Sequence, residues 1–193
     1  MVKVKEYIAP PINKKEICRY AGERELSDAV LALIDECLAE ISDKLSYKVA
    51  FCEVGVNIDG EAVDLGFTSV SSAALAKNLL GCEGAVVFAA TVGLAPDRLV
   101  ARYSVSSPTK ALIFDAIGAE RIESLCDAFC ADLKEELGKK LRPRFSAGYG
   151  DLPLEMQRDI FRLVECPKNI GLTLGESLVM SPSKSVTAII GIG

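Results

Sequence analysis

Apolar residues recur at steps of three and four along two long stretches of the chain, residues 25–45 and residues 108–137. This spacing places the apolar side chains on one face of a helix, so both stretches are predicted to be amphipathic helices. The second helix is predicted to begin at Ser107-Pro108 and to end at Gly138. Shorter helices are predicted over 71–80 and 154–165, the latter closed by Cys166-Pro167.

Continuous and alternating apolar runs predict the strands. Residues 85–92 (AVVFAATV) form an uninterrupted apolar run with several β-branched members, which is typical of a strand buried on both faces. Residues 1–22 are expected to form an extended arm, because Pro10-Pro11 interrupts regular structure. The other predicted strands are 48–59, 62–66 and the two arms of a C-terminal β-hairpin, 172–180 and 185–192.

Helices and strands alternate along the chain, but the final pair of strands is predicted to be antiparallel. This combination favours an α+β fold over a doubly wound parallel sheet. A boundary is predicted near residue 106, between an N-terminal α/β part (1–106) and a C-terminal part (107–193). The alternative is one continuous domain.

Histidine is absent from the 193 residues, and no other count restricts the function as strongly. Without an imidazole, the chain cannot build a Ser-His-Asp or Cys-His catalytic site or a metal site with histidine ligands. The net charge of −5 disfavours binding to nucleic acid or to an anionic membrane surface. Because neither a signal-peptide core nor an apolar run of about 20 residues is present, we expect a cytoplasmic protein without a membrane span.

The seven cysteines are scattered, and none forms a Cys-x-x-Cys pair. Zinc ribbons, thioredoxin-like sites and iron–sulfur clusters are therefore not indicated. Cys126 and Cys130 are four residues apart and would share a helix face, which leaves redox or metal use as the alternative. We expect most of the cysteines to be small buried apolar residues in a reducing compartment, and we expect no metal site.

Residues 144–153 (RFSAGYGDLP) form the segment most indicative of ligand binding. Gly148 and Gly150 allow positive φ angles and a close approach of the backbone to a ligand. Arg144 can bind a carboxylate or phosphate through two hydrogen bonds, and Tyr149 offers an aromatic face to a cation such as a sulfonium. The segment thus predicts a site for a small ligand with an acidic group. The alternative is an ordinary glycine-rich connection with an exposed arginine.

The pattern Arg-x-x-x-Gly-Tyr at Arg144, Gly148 and Tyr149 resembles the motif of the activation (reactivation) domain of vitamin B12-dependent methionine synthase. The resemblance extends over residues 107–193 and is weaker over 1–106. Its other parts are residues 171–180 (GLTLGESLVM), Pro182, residues 185–188 (SVTA), the helix around 122–127 (IESLCD) and residues 19–22 (RYAG).

The resemblance implies a curved, mainly antiparallel sheet flanked by helices. It also implies a domain that binds S-adenosylmethionine and docks on the cobalamin-binding module of methionine synthase. There S-adenosylmethionine supplies a methyl group and a flavodoxin-like donor supplies one electron, so that oxidised cobalamin is remethylated. The cobalamin is carried by the partner, and this chain needs no acid or base of its own, because its task is to hold the methyl donor in position.

The family also implies which residues form the ligand site. Arg144 would pair with the carboxylate of S-adenosylmethionine, and Glu123 would offer negative charge to its amino or sulfonium group. The alternative for Glu123, and the expectation for Asp127, Asp132, Glu135 and Glu136, is a solvated helix face. The complete implied set is Arg144, Gly148, Tyr149, Gly150, Asp151, Glu123 and Ser185, with no catalytic residue among them.

The sequence departs from the family in two places. The long forms carry an aspartate near the start of the domain that contacts the ligand, and no counterpart is evident here. They also continue past the hairpin with an aromatic pair, whereas this chain ends at Gly193. Because 193 residues cannot also hold the cobalamin-binding and substrate modules, we expect a separate subunit that acts in trans on a shorter methionine synthase. One alternative is a docking module for a corrinoid protein that no longer binds S-adenosylmethionine, and another is an independent enzyme for a different carboxylate ligand.

Overall fold

The computed structural model describes residues 1–23 and 27–193. The helix predicted over 25–45 appears as α2 from Asp28, and residues 25 and 26 of that prediction lie outside the described residues. The helices are α1 (Lys14–Tyr20), α2 (Asp28–Ile41), α3 (Ala73–Leu79), α4 (Ala95–Tyr103), α5 (Pro108–Leu137), α6 (Met156–Leu163) and α7 (Cys166–Ile170). The strands are β1 (Lys3–Tyr7), β2 (Tyr47–Gly55), β3 (Asn57–Asp59), β4 (Ala62–Asp64), β5 (Ser69–Ser71), β6 (Gly84–Thr91), β7 (Thr173–Leu174), β8 (Met180–Ser181) and β9 (Ser185–Ile192).

The central sheet has four strands in the order β1-β2-β6-β9, and each pairing is antiparallel. Strand β6 lies inside the sheet, paired with β2 on one side and with β9 on the other. Its eight residues GAVVFAAT are buried after the first, as a strand covered on both faces requires. The prediction of an α+β fold with a mainly antiparallel sheet is confirmed.

Helices cover both faces of this sheet. On one face, Phe129 of α5 packs against Phe51 and Phe88, with ring centroids 5.1 and 4.9 Å apart. On the other face, α3, α6 and α7 bury a second apolar cluster around Val87 and Ile189. Helix α5 is one continuous element of 30 residues that ends at Gly138 in the left-handed region, as predicted. In the described part of the chain, no helix is both long enough and apolar enough to cross a membrane.

The C-terminal region contains a hairpin with shorter arms than predicted. Its arms are β7 and β8, whereas β9 pairs with β6 along its whole length. The helix predicted over 154–165 is α6 (Met156–Leu163), and it ends before Cys166-Pro167, as predicted. Pro167 then lies in the first turn of the separate short helix α7. Proline is tolerated there, since the first helical N–H groups have no partner within the helix.

The N-terminal residues form more regular structure than the expected extended arm. Strand β1 is an edge of the central sheet, and α1 follows the two prolines. Helix α1 forms because the side chain of Asn13 accepts hydrogen bonds from the N–H groups of Lys15 and Glu16, and because Ile17 and Cys18 are buried. The expectation of an arm without a helix was therefore wrong for residues 14–20.

Five of the seven cysteines are buried, as expected for small apolar residues. Burial raises the pKa of Cys126 to about 12, that of Cys166 to about 12 and that of Cys37 to about 11. These thiols therefore stay protonated at neutral pH, which makes them poor nucleophiles and poor metal ligands. Within residues 1–23 and 27–193, no cluster of three or more cysteine or acidic side chains is placed to hold a metal ion.

A buried ion pair fastens the N-terminal segment to α5. Arg121 and Glu120 are 1% and 2% exposed, and their side chains are hydrogen-bonded to each other. The guanidinium also donates to the carbonyl oxygens of Pro10 and Pro11, at 2.6 and 2.8 Å, and Glu120 accepts the N–H of Asn13 at 3.0 Å. The hydrogen bonds that the buried pair needs are thus completed by backbone groups of residues 10–13, and the same bonds fix the segment that leads into α1.

Replacement of Glu120 by Gln is expected to lower the free energy of unfolding by about 3 kcal/mol, because it leaves the buried guanidinium of Arg121 without a counter-charge. Urea unfolding followed by circular dichroism measures the change. Glu135→Gln, an exposed position on the same helix, is the matched control and should be nearly neutral. Equal stability of the two variants would contradict this role of the pair.

Candidate functional site

The candidate ligand loop starts at the edge of the central sheet. Leu141 and Phe145 form isolated bridges to Ile192 and Ile189 of β9, so the segment between them runs along this edge. Arg144 immediately precedes the second bridge and therefore projects from a backbone that the sheet holds in place. The position of Arg144 thus depends on which residues of β9 pair with the segment 141–145, and not only on the conformation of the loop.

Two glycines give the loop its shape. Gly148 has φ of 84° and Gly150 has φ of 60°, both in the left-handed region that favours glycine. A Cβ atom at Gly148 would lie 3.0 Å from Leu154, and one at Gly150 would lie 3.1 Å from Ala74. The loop therefore packs tightly against its neighbours at these two positions.

Arg144 contacts two carboxylates of α5. Its Nη2 lies 3.1 Å from Oε2 of Glu123 and 2.8 Å from Oδ1 of Asp127. Residues four apart on a helix share one face, which is why one nitrogen reaches both. Burial alone would lower the pKa of Arg144, but nearby Cys126, Glu123 and Asp127 outweigh it and hold the pKa above its usual value. The structure thus brings Arg144 and Glu123 together and pairs them directly with each other.

Two clefts lie beside this cluster. The first, which we call the acidic cleft, has a volume of about 290 Å³ between α1 and α5 and is lined by Glu16, Glu120, Glu123 and Asp127, among others. The second, the basic cleft, has a volume of about 430 Å³. Its charged lining residues are Lys134, Arg142 and Arg144, and its apolar ones include Leu141 and Ile190. Arg144 lines the basic cleft while its Nη2 contacts two carboxylates of the acidic one.

Tyr149 lies at the outer surface of the loop. Tyr149 is 70% exposed, and its ring packs against the ring of Phe145 in a T-shaped arrangement, with the centroids 5.6 Å apart. One face of the ring is therefore available to a planar or cationic ligand group.

The carboxylate of Asp151 is engaged within the protein. It accepts the N–H of Ala73 at 2.8 Å and that of Ala74 at 3.2 Å, at the start of α3, together with the hydroxyl of Ser72. The bond from Ser72, followed by those from the backbone, holds the pKa of Asp151 below its usual range. Asp151 thereby fixes the far end of the loop to α3.

Ser185 lies apart from the other implied site residues. It is buried at the start of β9, where its Oγ lies 2.8 Å from the hydroxyl of Thr91 and 2.8 Å from the carbonyl oxygen of Pro182. Ile189, which pairs with Phe145, is four residues further along, or about 13 Å at the usual rise of a strand. The structure therefore does not bring Ser185 to Arg144.

The sequence interpretation missed several residues around the site. Asp127, Asp132 and Glu136 were expected on a solvated helix face, but Asp127 pairs with Arg144 and the other two pair with Lys5. The spacing of Asp127 four residues after Glu123 was a usable signal. Glu16 of the acidic cleft had no such signal, because no helix was predicted there, and Tyr20 was named only within the segment 19–22 of the family resemblance.

Comparisons with known proteins support the fold. No protein-family model matches the chain, and a search of curated proteins finds no match. Among solved structures, the chain is similar to a crystal structure of the MetH reactivation domain bound to AdoHcy, with a TM-score of 0.72 and 13% sequence identity. The alignment covers 99% of this chain and 78% of the other. The chain therefore has the fold of this reactivation domain, which confirms the family resemblance at the level of fold.

Replacement of Asp151 by Asn is expected to lower the urea midpoint at pH 7 and to lower it less as the pH falls below about 4. The folded pKa of Asp151 lies below its usual value, so its contribution to stability is complete above the unfolded pKa of about 3.9 and is lost as the pH falls through the folded value. Urea unfolding at pH 3 to 7 measures this effect, with Glu135→Gln as the charge-matched control. A wild-type advantage that stays constant down to pH 3 would contradict the capping role of the charge.

Proposed function

We propose that the chain binds S-adenosylmethionine and supports, in trans, the reductive remethylation of the cobalamin of a methionine synthase. The observation that carries the proposal is the position of Arg144. It lines the basic cleft and pairs with Glu123 of the acidic cleft, in a chain whose fold is similar to that of a domain crystallised with AdoHcy. S-adenosylmethionine needs such a combination, because its carboxylate, ammonium and sulfonium groups lie within one short amino-acid segment.

In this proposal, each part of the ligand has a chemically matched group. The carboxylate binds the guanidinium of Arg144 in a charge-assisted hydrogen bond. The ammonium and sulfonium groups are attracted by the carboxylate of Glu123 in the acidic cleft. The ring of Tyr149 and the backbone of residues 148–151 line the remaining parts of the ligand, with the sulfonium or the adenine against the exposed face of the ring.

The task of these residues is to orient the methyl group rather than to activate it. A sulfonium is already a good leaving group, so the protein needs no general acid or base, in keeping with the absence of histidine. Cobalamin, bound to a partner module, would accept the methyl group after one-electron reduction by a flavodoxin-like donor. The parts of the chain that contribute are the loop from Arg144 to Asp151 and the adjoining face of α5, which hold the donor at the surface where a partner can reach it.

A second candidate is a docking module without S-adenosylmethionine. It is favoured by the two carboxylates that already balance the charge of Arg144 in the protein alone. The two candidates differ in one measurable property, the affinity for the free ligand.

Replacement of Arg144 by Ala is expected to weaken S-adenosylmethionine binding about tenfold or more, since a lost charge-assisted bond costs roughly 1.5–3 kcal/mol. Calorimetric titration of the wild type and the variant measures the change. Arg98→Ala removes an exposed guanidinium from α4 and serves as the matched control. Unchanged affinity in the Arg144 variant would refute the role of Arg144, and a wild type that does not bind at millimolar ligand would favour the docking module.

A further inference from the structure

Arg144 uses a single nitrogen for both of its ion pairs. Nη2 contacts Glu123 and Asp127, whereas Nε and Nη1 donate to no carboxylate among the described residues. Nη2 carries two hydrogens. One of them is parallel to the hydrogen of Nε, and the other is parallel to a hydrogen of Nη1.

The planar shape of a guanidinium limits how a further carboxylate can bind Arg144 once Nη2 is in use. A carboxylate that binds through two parallel hydrogen bonds uses either Nε with Nη2 or Nη1 with Nη2. Arg121 of this protein shows the first arrangement, donating from Nε to Oε2 and from Nη2 to Oε1 of Glu120. Both arrangements need Nη2, so a ligand carboxylate cannot bind Arg144 in this way while both α5 carboxylates stay in place.

The two carboxylates differ in how easily they can leave. The side chain of Asp127 is 74% exposed and that of Glu123 is 46% exposed. Neither Asp127 oxygen accepts a further hydrogen bond among the described residues. A turn of its side chain therefore returns Asp127 to water without breaking another contact, and an ion pair this exposed contributes little stability to oppose that movement.

We infer that Asp127 is an internal competitor for the ligand carboxylate, which must displace Asp127 from Nη2 of Arg144 while Glu123 keeps its bond. This inference rests on the proposed function, because it assumes a ligand with a carboxylate at Arg144. Asp127 then acts as a specificity-determining residue. A ligand with a carboxylate offsets the loss of Asp127 by forming two bonds, whereas a ligand without one leaves Asp127 on the guanidinium and gains nothing from Arg144.

The test measures the affinity of the full chain for S-adenosylhomocysteine and for its decarboxylated form, which keeps the amine. Both lack the sulfonium charge, so a change at Asp127 alters only the competition at Arg144 and the general electrostatic field. Asp127→Asn is expected to raise the affinity for S-adenosylhomocysteine about two- to fivefold, the size expected for removal of an exposed competing pair. The affinity of the Asp127→Asn variant for the decarboxylated ligand should not rise. Asp127→Ala, which also removes the accepting oxygen, should likewise raise the affinity for S-adenosylhomocysteine and not that for the decarboxylated ligand.

Glu135→Gln removes one negative charge from the same helix at an exposed position and controls for the general field. Thermal unfolding verifies that each variant is folded. If the wild type binds S-adenosylhomocysteine but Asp127→Asn binds it no tighter, or tightens both ligands equally, the competition is refuted while the proposed function stands. An effect of Glu135→Gln as large as that of Asp127→Asn would also refute it. If wild type and variants bind neither ligand, the proposed function fails, and the competition with it.

Discussion

The buried pair of Glu120 and Arg121 is the constraint on which the candidate site depends. A guanidinium that is 1% exposed must have its donors satisfied, and here Glu120 and the carbonyl oxygens of Pro10 and Pro11 satisfy them. The N-terminal segment therefore cannot leave α5 without exposing or orphaning a buried charge. Because this segment leads directly into α1, the same bonds hold Glu16 and Tyr20 opposite Glu123, and the acidic cleft exists as a consequence.

Helix α5 links the stability of the fold to the chemistry of the site. One side of it packs against the sheet through residues such as Phe129, and another presents Glu123 and Asp127 to Arg144. Arg144 itself is held by the pairing of Phe145 with β9. The charged groups thus stand on two rigid elements that pack on the same sheet, which is the arrangement that keeps a binding geometry fixed without a ligand.

The sequence predicted the elements with strong local patterns and missed those set by distant contacts. The helical spacing of apolar residues in α5 and the apolar run of β6 were sufficient to locate both elements, whereas a place for Glu123 beside Arg144 was implied only by the family resemblance. Helix α1 is too short for a periodic signal and is stabilised by burial. The pairing of β9 with β6 joins residues about one hundred positions apart, which no local pattern encodes. Ser185 was implied by a motif in the sequence, but its place along β9 depends on that pairing.

A crystal structure of the complex with S-adenosylmethionine would show whether Arg144 binds the ligand. We expect a ligand carboxylate oxygen about 3 Å from the guanidinium of Arg144, with the ligand ammonium in the acidic cleft beside Glu123. The hydrogen bonds from Arg121 of α5 to the carbonyl oxygens of Pro10 and Pro11 should stay unchanged in the complex. A ligand that binds elsewhere, while Arg144 keeps both Glu123 and Asp127, would contradict the account.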